Sequence, residues 1–213
     1  GDNSILPMML VSKLAGRKVK VALTGDGGDE NFAGYDRYAF VQISSVLSKL
    51  PQGVKRILGL TGIGARAAYP SKQTDRMQRF LTGLEKTFYR RYVDYNCFFT
   101  DKAKQGLYTK DFRHSIGASD TYALYRRFYD RKLTDVDNTL MFDMQTYLPD
   151  DLLYKSDSAS MAYGLELRSP FLDHELMEKI ASMPSSLKLQ FFQKKKILKD
   201  IAKRYKLLPH EIV

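Results

Sequence analysis

A predominantly α-helical chain with one buried strand, about residues 19–24, is what the sequence predicts, and three observations carry that reading. The run Val19-Lys20-Val21-Ala22-Leu23-Thr24 is short, rich in β-branched and apolar residues, and stops at a glycine turn, as a buried strand does. Helical patterns flank it, from Ile5 to Leu14 before and from near Glu30 toward Leu50 after, which is the grammar of an α/β unit. Most of the remaining chain repeats its apolar residues at a spacing near 3.6.

The elements follow in order. Pro7 is tolerable in the first turn of the opening helix, and Gly16 suits its stop. Pro51 ends the helix that starts near Glu30. Gly53, Gly59, Gly62 and Gly64 make residues 53–69 a loose, mobile connection. Residues 71–95 and 120–131 are helical in spacing, while 97–120 is broken by Gly106 and Gly117. A long, partly buried helical pattern covers 138–163 and is interrupted at Pro149. Asp173 is an N-cap for the helix that Pro184 terminates. A last helix, about Gln193 to Tyr205, turns Ile197, Leu198 and Ile201 inward and its lysines outward. A lone buried strand leaves its backbone unpaired, so either partner strands lie outside this sequence or the strand reading is wrong.

With 44% hydrophobic and 12% aromatic residues the chain can build a core, so a globular protein is expected. Cys97 has no partner cysteine and the three histidines are scattered, which excludes an internal disulfide and a Cys/His zinc cluster. No apolar run reaches the length of a membrane span and the N-terminus lacks the form of a secretory signal, so a reducing cytoplasmic location is expected, without membrane contact. The net charge of +10 is concentrated in two places, residues 72–132 and the tail from Lys194 to Lys206. In the first, Lys and Arg interleave with Tyr and Phe. A groove that stacks and tracks nucleic acid would have those letters, and so would helices with one aromatic and one cationic face, the preferred reading.

The segment Thr24 to Glu30, TGDGGDE, sets Asp26, Asp29 and Glu30 among Gly25, Gly27 and Gly28. Glycines allow a sharp turn and close approach of a ligand, whereas three carboxylates repel a bare phosphate. A divalent cation reconciles the two, because hard oxygen ligands hold Mg²⁺ while the ion bridges to phosphate oxygens. Metal-assisted nucleotide chemistry is one reading of the loop, and an acidic surface turn is the other.

Three stretches together resemble the synthetase domain of the glutamine-dependent asparagine synthetase family. VALTGDGGDENFAGYDRY, residues 21–38, is similar to the family's strand and S-G-[DE]-G-x-D-E-x-F-x-G-Y motif. Residues 147–184, beginning YLPDDLLYKSDSASMAYGLELRSPFLD, resemble its L-P-x-D-x-L-x-K-x-D-x-x-[ST]-M-A-x-x-L-E-x-R-x-P-F-L-D signature. KKKILKDIAKRYKLLPHEI resembles its K-x-[IL]-L-[RK] helix and the L-P after it. Order and spacing agree over essentially the whole chain, and the basic middle region is the least diagnostic part.

The resemblance implies an α/β ATP-pyrophosphatase core in which ATP and Mg²⁺ activate a carboxylate as an acyl-adenylate, pyrophosphate leaves, and ammonia attacks. It implies Asp29 as the Mg²⁺ ligand, Asp26 at the position tied to adenylate formation or amine deprotonation, and Thr24, Gly25, Gly27 and Gly28 lining the ATP site. Lys195 matches the catalytic lysine, which would stabilise the departing charge; Lys194 and Lys196 beside it leave the register open by one residue. Glu30, Glu166 and Arg168 are candidates for the substrate pocket, although for Glu166 and Arg168 a buried structural ion pair is the preferred reading. Ser158 stands where the family often has Arg, and Asp26 replaces the Glu of some members.

Residues 1–213 are accordingly expected to be an incomplete synthetase domain: the glycine-rich pyrophosphate loop and the N-terminal glutaminase that supplies ammonia are not in the sequence. Taken alone the chain is expected to be inactive. The substrate implied is aspartate, or another carboxylate such as a sugar acid. A homodimer is compatible with this reading. A basic helical module that binds nucleic acid without catalysis is the rival, and ranks below it.

Overall fold

The structure is a computed structural model that describes residues 2–117 and 120–206. In chain order, helix α1 (Ile5–Gly16) leads into strand β1 (Val21–Leu23), the short helix α2 (Gly28–Phe32) and helix α3 (Asp36–Leu47). Helices α4 (Gln52–Ala68), α5 (Lys72–Gly83), α6 (Phe88–Asn96), α7 (Asp101–Leu107), α8 (Lys110–Ile116) and α9 (Ala123–Phe128) follow. Helix α10 (Asp135–Gln145), a π-helical turn (Leu148–Leu153) and helix α11 (Tyr154–Met161) then form a nearly unbroken run. Strand β2 (Glu166–Arg168), a 3₁₀ turn (Pro170–Leu172), and helices α12 (His174–Ser182), α13 (Ser185–Lys188) and α14 (Lys196–Arg204) complete the described chain. No helix among the described residues is long and apolar enough to cross a membrane.

The chain divides into two compact units, residues 1–39 with 136–213, and residues 40–135. In the first, β1 pairs in parallel with β2, in the register Val21 to Glu166, Ala22 to Leu167 and Leu23 to Arg168. A parallel pair needs a crossover of many residues between its strands. The expected lone strand therefore has a partner, contributed by a segment of only three residues. It is shorter than the predicted 19–24 and is not buried: Val21 is 41% exposed and Leu23 76%. Leu6, Leu10 and Leu14 of α1 are likewise more than 60% exposed.

The core of this unit lies instead among Phe32, Tyr38, Leu140, Phe142, Leu148, Leu165 and Leu189, all buried. Lys155 of α11 is buried too. Its ammonium pairs with Asp2 and donates to the Ser4 hydroxyl at 2.8 Å. Hydrogen bonds from Lys155 and then Ser4 hold the Asp2 carboxyl well below its ordinary range. Pro149 does not end the long helical pattern. It lacks the N–H an α-helix needs there, and the chain widens into the π-helical turn before resuming as α11. Asp173 caps α12 as expected, accepting the Leu176 N–H at 3.0 Å.

The second unit corrects the reading of residues 53–69. They are helical, as α4, and two of their glycines are packing positions. Gly59 and Gly62 are buried against α5, and a Cβ at Gly62 would lie 3.2 Å from the Gln78 Cα and the Leu81 Cδ1. Ser71 closes a capping box with Thr74 at the start of α5. Part of the interleaved aromatic and basic pattern of the middle region resolves into packed rings and a paired cation. Phe88 and Tyr92 are buried, with Tyr129 and Tyr125 packed on them, and buried Arg91 pairs with Asp135 at 2.9 Å.

Candidate active site

β1 carries the chain into the acidic glycine turn, and β2 holds that turn in place. The Thr24 N–H donates to the Arg168 carbonyl at 2.9 Å, extending the ladder one bond beyond the strand, and the Ser169 hydroxyl donates to the Asp26 carbonyl. The Thr24 hydroxyl donates to the Asp26 carboxylate at 2.7 Å and accepts the Asp26 N–H at 3.0 Å, a side-chain closed turn that fixes the first acid of the loop. Gly27 then adopts φ 81°, a left-handed conformation glycine reaches without steric cost, with Leu172 packed where a side chain would stand.

The single helix expected from Glu30 toward Leu50 is broken. Ala33 takes a left-handed conformation at the end of α2, and Gly34 follows before α3 begins. Position 34 has room only for glycine: a Cβ on Gly34 would lie 1.6 Å from Asp29 Oδ1 and 2.5 Å from Lys195 Cε. That space is where Asp29 and Lys195 meet, Nζ to Oδ1 at 3.0 Å.

Lys195 arrives from the far end of the chain. Its own backbone is left-handed, at φ 51°, and its N–H donates to the Phe32 carbonyl at 3.2 Å, so main chain and side chain both engage α2. Gln190 and Gln193 exchange backbone hydrogen bonds just before it, which is why the last helix begins at Lys196 and not at Gln193. Ile201 of that helix is 46% exposed, against the expected inward face, while Ala202 is buried. The three neighbouring lysines have different partners. Lys194 pairs with Asp36 at 2.7 Å and Lys196 with Asp200 at 2.5 Å, so Lys195 alone of the three meets the glycine loop. The sequence after Lys206 that resembles the family's L-P segment lies outside the described residues.

Behind the loop, Glu30 turns inward and is 1% exposed. The Tyr35 hydroxyl donates to its Oε1 at 2.6 Å. Burial raises the Glu30 carboxyl above its ordinary 4.5, with the Tyr35 hydrogen bond pulling the other way and the Asp29 and Asp143 charges adding to the rise. Burial and then the bond to Glu30 push the Tyr35 phenol far above its usual value. The Arg37 guanidinium lies between the rings of Tyr35 and Tyr147, 4.3 and 4.5 Å from their centroids, and donates to Asp143 at 2.9 Å. Asn31, also buried, donates to the Phe171 carbonyl at 2.8 Å and ties α2 to the 3₁₀ turn.

The structure thus brings Thr24, Asp26, Gly27, Gly28, Asp29 and Lys195 to one place. Gly25 is on the open side of the turn, where a Cβ would meet nothing within 4 Å. Glu166 and Arg168 do not form the expected buried pair. They bond to each other at 2.9 Å, but with side chains 55% and 66% exposed, because residues two apart on a strand share a face and this face of β2 is uncovered. Among the described residues no three His, Cys, Asp or Glu side chains gather as a metal cage. Magnesium commonly takes one or two protein carboxylates and completes its shell with phosphates and water, a demand that partly exposed Asp29 fits. Gly34, Tyr35, Arg37, Asp143 and Tyr147 join the site from the structure alone. The Gly34-Tyr35 pair closes the glycine-loop motif and could have been flagged there; no local signal links Arg37 to Asp143.

With this geometry in place, comparison with known proteins places the chain in a family. The asparagine synthase family model matches residues 1–213, and the chain belongs to that family. It is 28% identical over 203 residues to asparagine synthetase [glutamine-hydrolyzing] 1 of Bacillus subtilis (strain 168), covering 94% of this chain and 30% of that protein. A putative asparagine synthetase [glutamine-hydrolyzing] of Mycobacterium bovis is 28% identical over 191 residues, 88% of this chain and 28% of its own. The amidase chyE of Penicillium rubens is 24% identical over 233 residues, 95% of this chain and 32% of its own. The chain therefore spans about 30% of the length of the first of these relatives. No solved structure matches it.

Proposed function

We propose that this chain supplies the nucleotide-activating part of an ATP-dependent, glutamine-linked amide synthesis, in which a carboxylate is activated as an acyl-adenylate, pyrophosphate leaves, and ammonia completes the amide. The single observation that carries the reading is the meeting of Asp29 and Lys195 at the glycine turn. Adenylation develops negative charge on the departing pyrophosphate, and a preorganised ammonium stabilises that charge in the transition state. Membership of the asparagine synthase family and the names of the relatives support the same chemistry.

Asp29 would hold Mg²⁺, which supplies charge neutralisation on the phosphates when bound. Lys195 and Asp29 contact one another at 3.0 Å, which keeps the lysine at the turn. When nucleotide arrives, Lys195 exchanges the carboxylate for phosphate oxygens without leaving its backbone anchor on Phe32. Thr24 fixes the Asp26 carboxylate beside the turn, the position from which it acts on the adenylating carboxylate or the incoming amine. Glu30, sealed behind Tyr35, holds α2 in place.

Aspartate is the substrate favoured by the relatives' names, with ammonia supplied by a glutaminase domain and a cytoplasmic setting. A second reading, amide formation on another carboxylate, is favoured by the relatives named amidases. Pyrophosphate release by the full-length protein, measured with ATP, Mg²⁺ and a panel of carboxylic acids including aspartate and a uronic acid, separates the two. Lys195→Ala should lower that rate by about 10²–10³-fold, the usual cost of losing one transition-state donor. Lys194→Ala and Lys196→Ala should leave most of it. Equal losses in all three variants would remove the assignment of Lys195.

A further inference from the structure

The second unit holds a cleft of about 450 Å³ that the reaction above does not use. It lies where α4 turns into α5, and the C-terminal end of α6 with Cys97 and Phe98 forms its other wall. Its volume is in the range of small-ligand sites.

Four cations line it, Arg66, Lys72, Arg76 and Arg79, against one carboxylate, Asp75. Asp75 sits between two of them, 3.1 Å from the Arg66 Nε and 2.9 Å from the Arg79 Nε. Arg79 is fixed further by donating through one terminal nitrogen to the Cys97 carbonyl at 2.8 Å. The carboxylate therefore orients two guanidinium groups through their inner nitrogens and leaves outer N–H donors uncommitted, which is how a planar fork is readied for an oxyanion. Lys72 and Arg76 make no ion pair among the described residues, so the cleft keeps a strong positive excess. The N-terminus of the twelve-residue helix α5 opens beside them and adds to the same field.

Two aromatic residues, Tyr95 and Phe98, also line the cleft. Tyr95 is held by Phe40 and Phe80, with ring centroids at 6.0 and 6.4 Å, and offers a fixed face. Phe98 is 93% exposed, so its ring is open to a ligand. A bare phosphate would use the cations and leave the rings idle, and an apolar ligand would leave the cations unsatisfied. Chemistry that uses both joins a phosphate to a flat ring.

We propose that this cleft binds a phosphate linked to an aromatic base, the chemistry of a nucleotide, taken either free or as one unit of a single-stranded RNA. Arg66 and Arg79 grip the phosphate, Lys72 and Arg76 add charge at the rim, and the base stacks on Phe98. The cleft belongs to the second unit and does not depend on the assignment of the Asp29 turn.

Titration of AMP into the isotopically labelled full chain, followed by NMR, tests it. AMP should shift the amide signals of residues 72–79 and 95–98, and these shifts should persist in Lys195→Ala, which isolates them from the other site. The double variant Lys72→Glu/Arg76→Glu, altered only at exposed side chains and checked for folding by circular dichroism, should weaken binding at least about tenfold. Phe98→Ala should weaken it by about tenfold through lost stacking, and inorganic phosphate should bind about tenfold more weakly than AMP. An octamer of uridine that binds much more tightly than AMP, with steep salt dependence, identifies a strand as the source; equal affinity identifies a free nucleotide. The proposal is overturned if AMP leaves residues 72–79 and 95–98 unshifted, if the double variant binds AMP unchanged, or if phosphate alone binds as tightly as AMP.

Discussion

Asp29 and Lys195 meet at 3.0 Å in the space left by the missing side chain of Gly34. The pair is partly exposed, so its own contribution to stability is small, on the order of 0.2–1 kcal/mol. Its importance lies in placement.

Gly34→Ala should therefore damage the site more than the fold. The new methyl overlaps the Asp29 carboxylate and the Lys195 stem and must separate them. Overpacking of this kind costs about 1–3 kcal/mol, which urea unfolding would read, and pyrophosphate release by the full-length protein should fall with it. Retention of full activity would show that the ion pair is dispensable.

Glu30 gives a pH signature. Its folded-state pKa is raised above 4.5 by burial, so the folded chain holds the proton more tightly than the unfolded one. The contribution of this group is most favourable below 4.5 and is lost as pH rises from there through the folded pKa. Glu30→Gln keeps an acceptor for the Tyr35 hydroxyl and removes the buried charge, so its stability relative to the parent should improve from about pH 4 to about pH 8, as followed by urea midpoints. A variant that loses ground as pH rises would mean that the ionised carboxylate is the favoured form.

Two glycines of α4 should respond in opposite directions. Gly62 faces Gln78 and Leu81 at 3.2 Å, and Gly62→Leu should cost about 1–3 kcal/mol. At Gly64 a Cβ meets nothing within 4 Å, so Gly64→Ala should stabilise by about 0.5–1 kcal/mol through helix propensity alone. Thermal melts of the two variants suffice.

Arg37 joins two rings to the buried Asp143. Arg37→Met keeps some of the stacked apolar stem and removes the charge, and should lower stability by about 2–3 kcal/mol because a buried carboxylate loses a charged donor. Arg37→Lys should recover only part of that, since an ammonium has no planar face to lay between Tyr35 and Tyr147. Chemical denaturation of the pair measures both effects.

The features legible in the sequence are local ones. The cap at Asp173, the strand that runs into a glycine turn and the helix at Ile5 each announce themselves within a few residues, and each is present. The motif around Lys195 points to the glycine loop, and the ion pair with Asp29 distinguishes it from Lys194 and Lys196. Residues 53–69 mislead because a glycine counts against a helix in isolation, and only the neighbouring α5 shows that Gly59 and Gly62 permit close approach. β2 escapes detection because three residues carry no periodicity. Its existence depends on β1, far away in sequence, and the exposure of Glu166 and Arg168 depends on what covers that ribbon.

A left-handed backbone at a non-glycine residue carries a penalty of about 1–2 kcal/mol, and Lys195 bears one at φ 51°. Glycine or asparagine would relax that position. Laboratory evolution that rewards heat tolerance alone is thus expected to discard this lysine early, giving hardier descendants with an idle turn, whereas selection for turnover should hold it against that pull.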